Sequence, residues 1–398
     1  MFVLSLQTFI GYKYMRPKYY GDLKRSPGTY IKDTDKLFVQ QPNSTNVSRK
    51  LVHSNNSGPV RHIGFLKVHK AASTTSQAIF LRFGWRRNLN FVLPPQRNAF
   101  KYPNIISLNE SVTPYNTLPP PAGQHFDILC HHVLYGRDQW ASVMPKDFVV
   151  VGTVREPFSH FKSILNYFQP VIIKILEAKD DNPVRTFLES PKKYDSKKPQ
   201  RSLLNNRLAI EYGVDPDIIA KRNNARFKDY LYNVLDKQFA VVIPAERFDE
   251  GIILMKRRLR WSLNDIMYVQ KNVRNVTRPD RFPVMEDLNS LHREYFKFDY
   301  MIYHFFVEKF NREVYMEGLN FPREVEYFKK TRHAVQLFCH GKGKSIKQLK
   351  IPSSEFNEEF TITKDDCTIM LKGEIAFTQM IRLRQYGSVD LENVKRKA

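Results

Sequence analysis

Apolar positions along the chain fall into short unbroken runs, separated by stretches in which they recur every three or four residues. Ile63-Gly-Phe-Leu-Lys-Val68 is the first such run, and its length and near-continuous apolarity predict a buried strand. From Thr74 to Phe83 the apolar residues Ala78, Ile79 and Phe83 recur at helical spacing, and Gly84 is placed to end that helix. The alternation then repeats. Phe126–Cys130 and Phe148–Val154 predict two more strands, the second so uniformly apolar that it belongs in the centre of a parallel sheet. Phe158, Phe161, Leu165 and Phe168 mark one face of the following helix, with Pro157 in its first turn. Phe239–Ile243 reads as a fourth strand, while Asp229–Leu235, Glu250–Trp261 and the strongly aromatic Leu288–Phe310 read as helix. Strands alternating with helices predict an α/β domain built on a central, mainly parallel sheet. Beyond about Val335 the pattern shortens, and Phe360–Thr363 and Thr368–Leu371 look strand-like.

Two stretches lack this periodicity. Residues 1–60 are polar and rich in Asn and Ser, which predicts a tail or stem ahead of a domain over 61–340, with 341–398 an extension packed on that domain. Asn88–Gln124, with Pro94-Pro95 and Pro119-Pro120-Pro121, predicts an irregular excursion over the surface, the kind of loop that carries an acceptor site.

Composition narrows the class. The 398 residues suffice for a substantial core, and 42% hydrophobic with 13% aromatic content is globular rather than disordered. Lys and Arg number 63 against 40 acidic residues, and the resulting +23 favours anionic partners. Three cysteines are too few for a disulfide framework and fit no zinc spacing. Three cysteines allow one disulfide with one thiol left over, whose pairing the sequence leaves open, and Cys130, inside an apolar run, is the candidate for a buried free thiol. Asn43, Asn46, Asn55, Asn109 and Asn275 all open N-x-[ST] sequons, three of them within Asn43–Ser57. That clustering points to a secretory-pathway stem and away from a nucleic-acid partner. Phe2–Ile10 is apolar and followed by Lys13, Arg16 and Lys18, but a spanning helix needs about 20 such residues. It reads as a clipped signal anchor, a weak signal peptide or an amphipathic start.

Three segments carry chemistry. The first strand runs through His69 and Lys70 into Ser73, Thr74 and Thr75 at the start of a helix. Strand, tight turn and helix N-terminus make an anion site, because the first helical N–H groups lack internal partners and the dipole end is positive. The glycines and Gly-Lys-Ser/Thr ending of a Walker A loop are absent, and no Mg²⁺-binding carboxylate stands nearby, which weighs against a P-loop kinase. His131-His132 follows the second strand, with no third residue spaced to complete a metal site. Arg155-Glu-Pro157 follows the third, and a guanidinium fork pairs with phosphate. Ser163 lies eight residues on, so a bend near Glu156-Pro157 would bring both to one phosphate. Each segment alone has an ordinary structural explanation. All three, however, end predicted strands at the edge where open α/β sheets bind ligands.

His69-Lys-Ala-Ala-Ser-Thr-Thr75 resembles the 5′-phosphosulfate loop of Golgi carbohydrate sulfotransferases. Arg155-Glu-Pro with Ser163 resembles the 3′-phosphate pattern of enzymes that use 3′-phosphoadenosine 5′-phosphosulfate (PAPS). With Cys130-His-His-Val133, Met144-Pro145, Arg260–Ile266, Gln270–Val273 and Phe298–Phe306, the chain is identified as a member of the galactose-3-O-sulfotransferase family over roughly residues 60–340. The resemblance implies a P-loop-like three-layer sulfotransferase fold and a reaction without metal or covalent intermediate. A galactose 3-hydroxyl attacks the sulfur of PAPS in line, and 3′,5′-ADP leaves. His132 matches the catalytic base, and His131 would shape the pocket or touch the acceptor. Lys70 would neutralise charge on the leaving phosphate; with Ala72, Ser73, Thr74 and Thr75 it would hold the 5′-phosphosulfate, while Arg155 and Ser163 hold the 3′-phosphate. Arg274, Arg278 and Arg281 read as a solvated basic loop.

The resemblance further implies a galactose-terminated glycolipid or glycoprotein acceptor. It also implies a single-pass type II protein of the Golgi membrane, anchored by its N-terminal segment with the catalytic domain in the lumen. Two other readings remain beside it. One is transfer to another sugar position or to a glycosaminoglycan, which the +23 charge would suit; the other is a non-catalytic glycan- or heparin-binding protein. Intact Lys70, His132, Arg155 and Ser163 argue against the latter.

Overall fold

A computed structural model of the chain describes residues 58–95, 103–176, 183–196, 198–270, 288–341 and 347–387. Asn43, Asn46, Asn55, Asn275, the Phe2–Ile10 stretch, Lys271–Val273 and Arg274, Arg278 and Arg281 lie outside the described residues. In chain order the elements that build the site are β1 (Ile63–Leu66), α1 (Ser73–Arg86), β2 (Ile128–Leu129), β3 (Val149–Val154), α2 (Pro157–Leu176), α3 (Arg207–Glu211), β4 (Phe239–Pro244) and α4 (Phe248–Leu259). They continue with α5 (Lys297–Met316), α6 (Asn320–Cys339), β5 (Gln348–Ile351), β6 (Phe360–Thr363), α7 (Lys364–Leu371) and α8 (Glu374–Tyr386).

β1 to β4 form one parallel sheet in the order β2-β1-β3-β4. Ile63 pairs with both Ile128 and Val149, so the three neighbouring strands start level and leave the sheet along one edge. Successive side chains alternate between the faces. Phe65, Val151, Val241 and Ile243 pack on Ile79, Phe80 and Phe83 of α1 and on Ile252, Ile253 and Met255 of α4. Leu66, Val150, Val154 and Val242 pack on Leu208 of α3 and on Phe298, Ile302 and Phe306 of α5. The fold is therefore α/β, a central parallel sheet with helices on both faces. Burial on both faces is why each strand reads as a continuous apolar run.

Two local expectations are corrected. Gly84 does not end α1, which continues to Arg86. A Cβ at Gly84 would stand 2.4 Å from Phe91 Cζ and 2.7 Å from Ile128 Cδ1, so the glycine lets the helix approach the sheet rather than stopping it. Alanine there would gain about 1 kcal/mol in helix propensity. The overlap with a ring held in the core belongs at the top of the roughly 1–3 kcal/mol range for overpacking. Gly84→Ala is thus expected to lower stability by a net ~2 kcal/mol. The check is a urea melt with a lower midpoint and an unchanged m-value; an unchanged midpoint would mean that the contact relaxes freely.

Thr368–Leu371 is helix, not strand. Asp366 N–H donates to Thr363 Oγ1 (3.1 Å) and Thr363 N–H to Asp366 Oδ2 (2.9 Å), a capping box that starts α7 at once after β6. Phe360–Thr363 does form a strand, paired antiparallel with β5. A disulfide joins Cys339 at the end of α6 to Cys367 in α7, and Cys130 is a buried free thiol.

The C-terminal helix α8, which the pattern gave no reason to expect, lies on α1. Phe377 meets Trp85 edge-on at 6.1 Å, and Gln385 exchanges hydrogen bonds of 2.8 and 3.1 Å with the backbone of Phe91. No helix among the described residues is long and apolar enough to cross a membrane.

Candidate active site

The turn from β1 into α1 holds two non-glycine residues in the left-handed region, Lys70 (φ 57°) and Ala72 (φ 58°). Such conformations cost about 1–3 kcal/mol each and persist where surrounding structure enforces them. Here the enforcement is visible. Glu211 of α3 takes the His69 backbone N–H at Oε2 (2.8 Å) and the His69 ring at Oε1. His160 of α2 donates from Nε2 to the His69 carbonyl at 2.6 Å, and Arg155 donates from Nη1 to the Lys70 carbonyl at 2.9 Å. The turn delivers a helix N-terminus with no capping side chain and no acidic residue in its first turn. The fourteen-residue α1 therefore presents its positive end at the sheet edge, a fit for a phosphate or sulfate. Lys70 Nζ stands 4.0 Å above the Tyr167 ring of α2. Thr74 is exposed, Thr75 half-buried and Ser73 buried.

The next helix start at that edge is built differently. Glu156 folds its carboxylate onto the N-terminus of α2, accepting from Phe158 N–H (3.0 Å) and Ser159 N–H (2.6 Å). Of the two helix starts, one is sealed by the chain's own anion and the other is left for a ligand. Arg155 stands beside this cap, while Ser163 lies further along α2, half-buried, on a helix whose Phe158, Phe161, Ile164 and Leu165 pack into a core.

The two histidines after β2 diverge. His132 Nδ1 lies 3.0 Å from the Lys67 carbonyl oxygen. A carbonyl only accepts, so Nδ1 carries the proton and Nε2 keeps its lone pair. The ring stacks on His69 at 3.9 Å between centroids, 20° from parallel. Burial first, then the neighbouring His69 and Lys67, hold the His132 imidazole well below the usual histidine range, so it is neutral. His131, for which the resemblance implies a part in shaping the pocket or touching the acceptor, is fully buried, with Nε2 3.1 Å from Thr378 of α8 and its imidazole pushed by burial down to about 3. Neighbours on an extended chain face opposite ways, and only one of the pair can face the turn.

Behind the turn, charge is held by buried partners. Burial would raise the Glu211 carboxyl, but His69 and Arg207 outweigh it and hold it down to about 2. Arg207 Nε donates to its Oε1 at 2.8 Å. Lys67, at the end of β1, is fully buried and ion-paired with Glu374 at the start of α8, which also accepts from Asn104. Lys70, His132 and Arg155 thus meet around one turn, held by His69, Lys67, His160, Glu211 and Glu374. The only sign of the supporting set in the sequence is Lys67, a charge that interrupts an apolar run and so needs a buried counter-ion.

Comparison with known proteins decides the family. The family model for galactose-3-O-sulfotransferases matches residues 1–356. The chain belongs to the galactose-3-O-sulfotransferase family. Galactosylceramide sulfotransferase of Homo sapiens is 28% identical over 292 residues, 72% of this chain and 66% of that protein. Galactose-3-O-sulfotransferase 2 of Homo sapiens is 28% identical over 300 residues, 73% of this chain and 70% of that protein. Galactose-3-O-sulfotransferase 3 of Mus musculus is 31% identical over 218 residues, 53% of this chain and 48% of that protein. The chain spans about two-thirds of the length of the galactosylceramide sulfotransferase and about half that of the mouse relative. A galactose-3-O-sulfotransferase needs a sulfate donor as co-substrate, and the uncapped start of α1 beside Lys70 has the charge and donors for its anionic end.

Proposed function

We propose that this chain transfers a sulfuryl group from PAPS to the 3-hydroxyl of a terminal β-galactose on a glycolipid or glycoprotein glycan. The observation that supports it most is the juxtaposition of the uncapped α1 N-terminus with the neutral His132, whose Nε2 lone pair is set by the Lys67 carbonyl. The helix end from Ala72, with Lys70, Ser73, Thr74 and Thr75, would hold the 5′-phosphosulfate; Arg155 and Ser163 would hold the 3′-phosphate. His132 Nε2 takes the proton of the galactose hydroxyl as its oxygen bonds to sulfur. The sulfur–oxygen bond to the phosphate breaks, and Lys70 stabilises the charge that collects there. This displacement requires neither a metal ion nor a covalent enzyme intermediate.

Residues 61–340 would form the catalytic domain, and residues 341–398 an extension that supports the turn through Glu374. We place the protein at the Golgi membrane, single-pass and type II, with this domain in the lumen. The Cys339–Cys367 disulfide supports an oxidising compartment. Of the five sequon asparagines, Asn109 falls within the described residues and is exposed, as a glycosylated residue must be.

Binding of 3′,5′-ADP, followed by calorimetry, tests the donor half of this reading. Loss of hydrogen bonds to a charged group is worth about 1.5–3 kcal/mol, so Arg155→Ala is expected to weaken binding roughly 10- to 100-fold. Equal binding by wild type and variant would remove the 3′-phosphate from this position.

A further inference from the structure

We propose that His62, His125 and Asp127 bind a divalent transition ion of the zinc type at the edge of the sheet opposite the candidate active site. His62 immediately precedes β1 and Asp127 immediately precedes β2. In a parallel sheet those positions share one edge, whereas Lys70, His132 and Arg155 follow the other ends of the same strands.

The donor atoms are already at coordination spacing. Asp127 Oδ1 lies 3.5 Å from His62 Nε2 and 3.3 Å from His125 Nε2, and all three ligand atoms fall within 4.8 Å of one another. Tetrahedral zinc with bonds of about 2.0–2.1 Å sets its ligands about 3.4 Å apart. The supporting contacts are of the kind such sites need. His62 presents its other nitrogen, Nδ1, to Asp147 Oδ1 at 2.7 Å, the carboxylate–histidine arrangement that orients a metal-binding ring. Asp127 uses Oδ2 to accept the Asn90 N–H at 2.6 Å, which leaves Oδ1 turned toward the histidines.

Proton bookkeeping points the same way. A carboxylate accepts, so the proton between His62 and Asp147 sits on Nδ1, and a neutral His62 then aims a lone pair at the Asp127 carboxylate. Two acceptors face each other unless His62 is doubly protonated or a cation lies between them. His125 faces the same oxygen, its ring 5.3 Å from that of His62. One metal ion satisfies both histidines and the carboxylate. The His125 side chain is 67% exposed against 10% for Asp127, which gives an entry path and a solvent-facing fourth position. Joining the starts of β1 and β2, the ion would act on stability and take no part in sulfuryl transfer.

The test uses the full untagged chain, stripped with EDTA, dialysed and titrated calorimetrically with ZnCl₂. One zinc per chain is expected, with a melting temperature that rises with zinc concentration. His125→Ala, at an exposed position that the core does not need, is expected to weaken binding at least tenfold, and Asp147→Asn about 10- to 100-fold. His333→Ala, an exposed histidine outside the cluster, is expected to bind like wild type. Absence of stoichiometric binding to the wild type would overturn the proposal and leave the cluster a set of hydrogen-bonded side chains. Equal binding by wild type and His125→Ala would overturn it as well.

Discussion

Replacing His132 by asparagine is expected to lower kcat for sulfuryl transfer by about 10²–10⁴-fold, the usual contribution of a general base. Asparagine is the informative choice. Its side-chain amide can still donate to the Lys67 carbonyl, which the Nδ1–H of His132 meets at 3.0 Å, but it offers no basic nitrogen on the other side. Positioning is kept and proton acceptance is lost. Binding of 3′,5′-ADP should be unchanged, because in the proposed reaction His132 serves the acceptor and not the nucleotide. The pH profile adds a second signature. His132 acts as a base only when neutral, so activity falls as pH drops through its pKa. Burial and the neighbouring His69 and Lys67 hold that pKa well below the usual histidine range. The acid limb of kcat/KM, which reports the free enzyme, is therefore expected below the pH at which an ordinary histidine titrates. A variant with wild-type kcat, or an acid limb at or above that pH, would transfer the role of base to another group.

Lys70→Ala carries the second large effect, a loss of about 10²–10³-fold in kcat, comparable to removal of one oxyanion donor. The α1 N-terminus supplies partial charge and backbone donors whatever residue stands at position 70. What Lys70 would add in the proposed reaction is a full positive charge where negative charge grows as the sulfur–oxygen bond breaks. An interaction stronger in the transition state than in the ground state appears in kcat, and one equal in both appears only in KM. Lys70→Ala is expected to lower kcat and to raise the KM for the donor as well. A change confined to KM would reduce Lys70 to an anchor. Steady-state kinetics with PAPS as the varied substrate separates the two.

Much of this arrangement was legible in the sequence because of one physical circumstance. Strands of a parallel sheet are buried on both faces, so β1, β3 and β4 stand out as apolar runs, and parallel strands release their following residues at one edge. Lys70, His132 and Arg155 could be placed together on that argument before any side chain was located. The role of Gly84 is not legible in the sequence, because a glycine that allows close packing and one that ends a helix look alike until Phe91 and Ile128 are seen against it. Thr368–Leu371 is ambiguous in the sequence because four apolar-rich residues fit either periodicity, and the deciding signal, the Thr363–Asp366 box, stands upstream. Glu374 was beyond sequence reasoning. It meets Lys67 across 307 positions, and only the folded chain shows that α8 lies on α1. His131 and His132 could have been told apart, since alternation along an extended segment requires one to turn inward.

Sulfation of galactose at its 3-hydroxyl is read out by transfer of radiolabelled sulfate from PAPS to a panel of acceptors, with the labelled position identified in the product. The panel is lactose, galactosylceramide, type 1 and type 2 disaccharides, and desulfated heparin. Label on the 3-hydroxyl of terminal β-galactose is the expected result. Label confined to heparin or to another sugar position would keep the chemistry of the site and contradict the acceptor; no transfer to any of them would contradict the enzyme itself.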